Sequence, residues 1–211
     1  TDASSDVIVY EEKDKTNYIS VGRTRSDKFI TISSGSTLTS EVFTIDASRP
    51  TDAPKLFQQR QKDVLYYIDH ANDRFYIQTN RGAKNFMLVT AEENATEFAN
   101  WKTLIAHDPQ VLLQGFEVFR NYLVVSERKN GLTQLRIQLM SNNETHYLAF
   151  DETAYAAGIG ANAEYNTDIL RFNYNSLTTP ASVYDYDIKS RTNKLMKQQE
   201  VIGSFKPSDY Q

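Results

Sequence analysis

No cysteine occurs in the 211 residues, so no disulfide framework holds this chain together and no thiolate zinc site can form within it. That fits a reducing compartment; the cytoplasm is the expected location, with the periplasm as the alternative. Long apolar runs are missing too. Nothing approaches the roughly 18 residues a membrane helix needs, and the start lacks the basic, apolar and small-residue succession of a signal segment. Nor is there an excess of positive charge. The 23 Lys and Arg face 27 Asp and Glu, a net charge of −4, which leaves no general pull on phosphate backbones. Neither a membrane nor nucleic acid is an expected partner. The chain begins at Thr1 without a methionine, so a piece of a longer protein is expected.

What the chain does have is aromatic residues and repetition. It carries 13 Tyr and 11 Phe, residues that pack well on a pleated, half-buried surface. Short apolar stretches start at Phe29, Phe75, Leu123 and Leu170, spaced 46, 48 and 47 residues apart. A second stretch follows each at offsets of 13, 11, 12 and 13, beginning at Val42, Phe86, Leu135 and Val183. Fixed offsets inside a fixed period mark a repeat architecture. Strands in every unit, with no room for paired helices, predict an all-β fold, a partial β-propeller.

Each repeat reads as four antiparallel strands, A to D. The A strands are expected at 18–22, 64–69, 111–119 and 155–161, and they should line the central channel. Reversals at Ser26-Asp27, Asn72-Asp73, Arg120-Asn121 and Asn166-Thr167-Asp168 lead to strand B. Asn130-Gly131 is a hairpin signal between B and C. The D strands, at 55–58, 101–105, 145–149 and 194–198, are the least apolar, which blunts a sheet edge against stray pairing. The expected blades are 16–58, 63–106, 110–149 and 154–198. Residues 6–11 read as an outer strand left from a preceding blade, and 199–211 as a linker. Thr90-Ala91-Glu92-Glu93 matches a capping box, which predicts a helical turn at 91–98.

Several segments resemble, in order, the oligopeptidase B branch of the prolyl oligopeptidase family of serine peptidases. They are Val9-Tyr10-Glu11-Glu12-Lys13-Asp14, Ile32-Ser33-Ser34-Gly35-Ser36-Thr37, Lys84-Asn85-Phe86, Gly131-Leu132-Thr133-Gln134-Leu135, Tyr174-Asn175-Ser176-Leu177-Thr178-Thr179-Pro180 and Lys197-Gln198-Gln199-Glu200-Val201. The resemblance implies that about four four-stranded blades of a seven-bladed ring are present, and that the ring caps an α/β-hydrolase domain cleaving short peptides after Lys or Arg. It also implies that the catalytic Ser, Asp and His lie beyond residue 211, so none is assigned here and the chain by itself should be inactive. The implied partners are that hydrolase domain and the remaining blades, with short basic peptides as substrate of the whole protein. Two uncovered blade faces would favour self-association or a compensating closure.

The residues themselves offer no chemistry of their own. Gly-x-Ser-x-Gly does not occur, and Ser33-Ser34-Gly35-Ser36 reads as a loop. His70, His107 and His146 lack metal-binding spacing, and the adjacent acids Glu11-Glu12 and Glu92-Glu93 would point to opposite faces of a strand. Asn94-Ala95-Thr96 and Asn143-Glu144-Thr145 match the glycosylation acceptor pattern and read as chance matches. No cofactor or metal is expected. Topology puts the B–C loops and D–A connections at one end of each blade, and the A–B and C–D turns at the other. The first end is expected to face the hydrolase domain. Its candidate contacts are Arg60, Lys62, Arg81, Lys84, Arg128, Lys129, Thr178 and Thr179. The rival reading is a non-enzymatic propeller that holds a peptide, glycan or protein partner, which the fold alone would equally permit.

Overall fold

The computed structural model describes residue 4 and residues 6–203, in two compact units, Thr1–His107 and Asp108–Gln211. The first unit holds two four-stranded sheets. One is β1 (Tyr18–Arg23), β2 (Phe29–Gly35), β3 (Ser40–Asp46) and β4 (Lys55–Gln58); the other is β5 (Tyr66–Ala71), β6 (Arg74–Thr79), β7 (Met87–Glu92) and β8 (Lys102–Ile105). The second unit repeats the plan. Its sheets are β9 (Val111–Val118), β10 (Tyr122–Lys129), β11 (Leu132–Leu139) and β12 (Thr145–Tyr147), then β13 (Tyr155–Ile159), β14 (Ile169–Ser176), β15 (Ser182–Asp187) and β16 (Thr192–Gln198). All neighbours are antiparallel and adjacent in sequence, as the repeats predict.

Local chemistry sets the reversals. Asn72 and Asn130 sit at φ 50° and 52°, followed by Asp73 at 57° and Gly131 at 82°, so two-residue turns of mirror-image type close β5–β6 and β10–β11. A finer repeat appears in the third strands. The pairing to the fourth strand slips between Val42 and Phe43, between Leu88 and Val89, and between Val183 and Tyr184. Three sheets thus carry a bulge at matching places, which bends the outer strand away from the ladder.

Within each unit the two sheets bury their faces against one another. In the first, Phe57, Tyr66, Phe75, Ile77 and Val89 form the core, with the Phe75 ring 4.8 Å from Phe57 and 5.1 Å from Phe29. Tyr66 stitches the sheets as well: its hydroxyl donates to the Gln58 carbonyl at 2.6 Å and accepts from the Val42 N–H at 2.9 Å. In the second, Phe119, Tyr122, Leu135, Ile137, Leu170 and Phe172 fill the same role. There the Tyr122 hydroxyl donates across the seam to the Ile169 carbonyl at 2.9 Å.

The structure departs from sequence expectation in several places. Thr90 to Glu92 lie inside β7, where Thr90 pairs with Tyr76 and Lys102, and the helical turn is a short 3-10 turn at Phe98–Asn100. Buried ladder pairing outweighs a local capping pattern. Phe86, expected to open that strand, sits at φ 64° in the left-handed region, and β7 starts one residue later. Residues 6–11 form no strand; Tyr10 instead lays its ring on Phe43 at 4.9 Å. Strand ends shift as well: β5 runs Tyr66–Ala71, β12 ends at Tyr147, β13 ends at Ile159 and β16 starts at Thr192. Of the linker at 199–211, residues 204–211 fall outside the described residues.

Phe75→Ala is expected to destabilise the first unit by about 3–5 kcal/mol, because the ring is 1% exposed and its cavity cannot collapse. Lys102→Ala, on an exposed outer strand, should stay within about 0.5 kcal/mol. Urea unfolding of the two variants checks the contrast.

Candidate functional site

The ends of the sheets that carry the B–C loops are where polar side chains converge. In the first unit, Glu12 meets the end of β2. Its Oε2 accepts from the Ser34 hydroxyl at 2.5 Å and from Arg60 Nη2 at 2.9 Å. Arg60 Nη2 also donates to Ser34 Oγ at 2.8 Å, and the Arg60 N–H donates to Glu41 Oε1 at 2.9 Å. The Ser34 hydroxyl, the Asp14 N–H and the Arg60 charge hold the Glu12 carboxyl down at about 2.

The second unit builds the same device from different residues. Glu152, three residues before β13, accepts from Thr178 Oγ1 at 2.8 Å, Thr179 Oγ1 at 2.7 Å and the Tyr174 hydroxyl at 3.2 Å. Hydroxyls of Ser176, Thr179 and Thr178 bring its pKa to about 2 as well. The loop itself turns on Ser176, whose Oγ accepts from the N–H groups of Thr178 and Thr179 at 3.1 and 2.8 Å. In both units a carboxylate ahead of the first strand holds hydroxyls at the B–C end of the sheet, Ser34 near the end of β2 in one and Thr178 and Thr179 of the loop in the other. The remaining B–C loop of the first unit uses an amide instead: Asn80 Oδ1 accepts from the Leu65 N–H at 2.8 Å.

Of the candidate residues, Arg60, Thr178 and Thr179 are thus engaged inside these clamps. Arg81 lies over the Phe98 ring, its guanidinium carbon 4.5 Å from the centroid. Phe98 belongs to the C–D connection of its sheet, which topology alone would place at the opposite end. That connection folds back along the seam, where the Phe98 N–H donates to Gln58 Oε1 at 2.8 Å and Thr96 Oγ1 donates to the Phe57 carbonyl at 2.7 Å. Lys62, Lys84, Arg128 and Lys129 are exposed to solvent.

Sequence reasoning missed a second constellation, at the turn end of the first unit. His70 Nε2 lies 2.8 Å from Glu93 Oε1, and its Nδ1 lies 2.7 Å from Ser26 Oγ. A carboxylate only accepts, so Nε2 carries the proton and the Ser26 hydroxyl donates to Nδ1. Burial pushes the His70 pKa down, against the pull of Glu93, which keeps the ring neutral at pH 7. Ser, His and Glu in hydrogen-bonded line have the connectivity of a nucleophilic triad, yet the line lacks the other half of such a site. The N–H groups from Arg25 to Phe29 donate to Asp69, His70, Thr24, Ser26 and Thr24 in turn, so none is left to receive a developing oxyanion. His70 is 1% exposed between Phe29 and Phe75. The group is a polar clasp between two sheets, and Lys28 closes it on Glu93 at 2.6 Å. Among the described residues, no cluster of three His, Asp or Glu side chains is placed to hold a metal ion.

Four four-stranded antiparallel sheets of one pattern define a segment of a β-propeller. The family model for the prolyl oligopeptidase N-terminal β-propeller domain matches residues 1–199, and the chain belongs to that family of serine peptidases. It is 43% identical over 204 residues to dipeptidyl aminopeptidase BI of Pseudoxanthomonas mexicana, covering 96% of this chain and 28% of that protein. Identity to protease 2 of Moraxella lacunata is 29% over 210 residues, covering 100% of this chain and 30% of that protein. Among solved structures, oligopeptidase B of Trypanosoma brucei, in a closed form with covalently bound antipain, superposes with a TM-score of 0.91 at 29% identity, over 99% of this chain and 31% of that one. Oligopeptidase B of Leishmania major gives 0.90 at 25% identity, over 99% and 31%. The chain therefore spans less than a third of the length of these relatives.

An acid whose pKa falls on folding stabilises the fold above its ordinary value, 4.5 for Glu152, and loses that contribution as the pH drops toward 2. Glu152→Gln should cost about 1–2 kcal/mol at neutral pH, allowing for partial exposure. It should also flatten the stability profile between pH 4.5 and 2, which thermal melts across that range would reveal.

Proposed function

We propose that this chain is the gating part of a serine oligopeptidase that cleaves short peptides after Lys or Arg. In this reading the segment filters substrate by exclusion. A ring of sheets over an active site admits extended peptides and turns away packed domains, which cannot pass without losing their cores. The observation that carries the reading is the likeness to oligopeptidase B structures over 99% of this chain, at TM-scores of 0.91 and 0.90. Exposed apolar residues on the first and last strands, Tyr18 and Val21 on β1 and Leu195 and Met196 on β16, fit faces against which further sheets of the whole protein pack. Stiff B–C loops, held by Glu12, Asn80 and Glu152, suit the surface toward the hydrolase domain. Arg81 and Arg128 there would tune how far the two domains open.

A second reading has its own support. The relative at 43% identity is named a dipeptidyl aminopeptidase, so release of dipeptides from a free amino terminus competes with internal cleavage. Hexapeptides with Arg at the fourth position, acetylated or free at the amino terminus, separate the two in the full-length protein. Cutting after Arg in both peptides supports the first reading. Cutting after the second residue of the free peptide alone supports dipeptide release, and cleavage of neither, or equal cleavage of a folded protein, removes the gated-peptidase account.

Arg81→Ala and Arg128→Ala in the full-length protein should each change kcat/KM for these peptides severalfold while leaving the melting temperature nearly unchanged. Stopped-flow turnover and thermal melts would check both quantities, and unchanged kinetics in both variants would remove these arginines from the gate.

A further inference from the structure

A cavity of about 620 Å³ opens in the second unit, where the hairpin turns of its two sheets meet. It lies at the turn end, away from the B–C loops. Leu139, Met140 and Ile188 give it an apolar floor, and Ile188 is 6% exposed. Glu144, Asp168, Lys189 and Arg191 stand around the rim, two charges of each sign.

Those four charges are already paired. Lys189 Nζ lies 2.6 Å from Asp168 Oδ2, with side chains 77% and 31% exposed, and Arg191 Nη2 meets Glu144 Oε1, with side chains 49% and 46% exposed. Ion pairs this open to water contribute little to stability, so exchanging their partners costs little. The sign of a suitable ligand follows from the count. A simple anion taking Arg191 would leave Glu144 without its partner, and a simple cation taking Asp168 would strand Lys189. A molecule carrying both charges slips into a pair and leaves each residue with a partner of opposite sign. The volume falls in the range of small-molecule sites, and the floor asks for an apolar side chain.

We propose that this cavity binds a short zwitterionic peptide, its carboxylate on Arg191, its ammonium on Glu144, and an apolar side chain over Met140. Binding of this kind stands without the peptidase reading, which only names a source, since a peptidase releases such peptides as products. The site would let the protein sense or retain its own products at the rim farthest from the loop end.

The test uses the full-length protein with its methionine methyl groups labelled with ¹³C, the Met140 signal being assigned by comparison with Met140→Leu. Titration with the dipeptide Leu-Leu is expected to move that signal saturably, with affinity falling about tenfold or more for N-acetyl-Leu-Leu-amide and for the Arg191→Gln variant. Arg191 is half exposed, so the variant should keep its melting temperature. No movement of the Met140 signal up to roughly 10 mM peptide, or equal affinity for the capped peptide or in Arg191→Gln, would overturn the proposal. The signal is local to the cavity, so this outcome is independent of whether the protein cleaves any peptide.

Discussion

The constraint on which everything else rests is that the inner strands β6 and β10 are buried on both faces. Along β6 every residue from Phe75 to Thr79 is buried, and along β10 so are Tyr122 to Val125, which leaves no face to give to water. A sheet built this way cannot stand alone. Within each unit one face is covered by the partner sheet, through Phe57 with Phe75 and Tyr122 with Leu170. Tyrosine suits the seam because its ring adds area while its hydroxyl satisfies a backbone group of the neighbouring sheet. The fourth strands are the most exposed, Thr192–Gln198 at all seven residues, although β4 still contributes Phe57 to the core.

Much of this was legible from the chain alone, because a repeat of about 47 residues multiplies a weak signal by four. Hairpin turns at Asn72-Asp73 and Asn130-Gly131 were readable for the same reason that they form: only a few residue types accept a positive φ. What escaped was of a different kind. Thr90 to Glu93 looks like the start of a helix when read over four residues, yet Thr90 and Ala91 are ladder residues, and Glu93 serves His70, which is 23 residues away in the chain. Glu12 and Glu152 escaped too, since their partners Ser34 and Thr179 lie 22 and 27 residues away and are met only through the sheet topology. An acid shortly ahead of the first strand of a repeat, combined with a Ser/Thr-rich second loop, is the pattern that could have flagged them.

Glu12 and Glu152 are engaged by hydroxyls at the end that bears Arg60 and Thr179, and the buried His70 by a clasp between sheets. The same sheets leave the turn end of the second unit less committed, with exposed and exchangeable ion pairs around an apolar floor.

Native-state hydrogen exchange followed strand by strand tests the central claim most directly. If burial between sheets carries the stability, amides of β6 and β10 exchange only through unfolding of their whole unit, while those of β4, β8, β12 and β16 exchange through local opening well before it. Equal protection in inner and outer strands, or outer strands outlasting β6 and β10, would contradict the account.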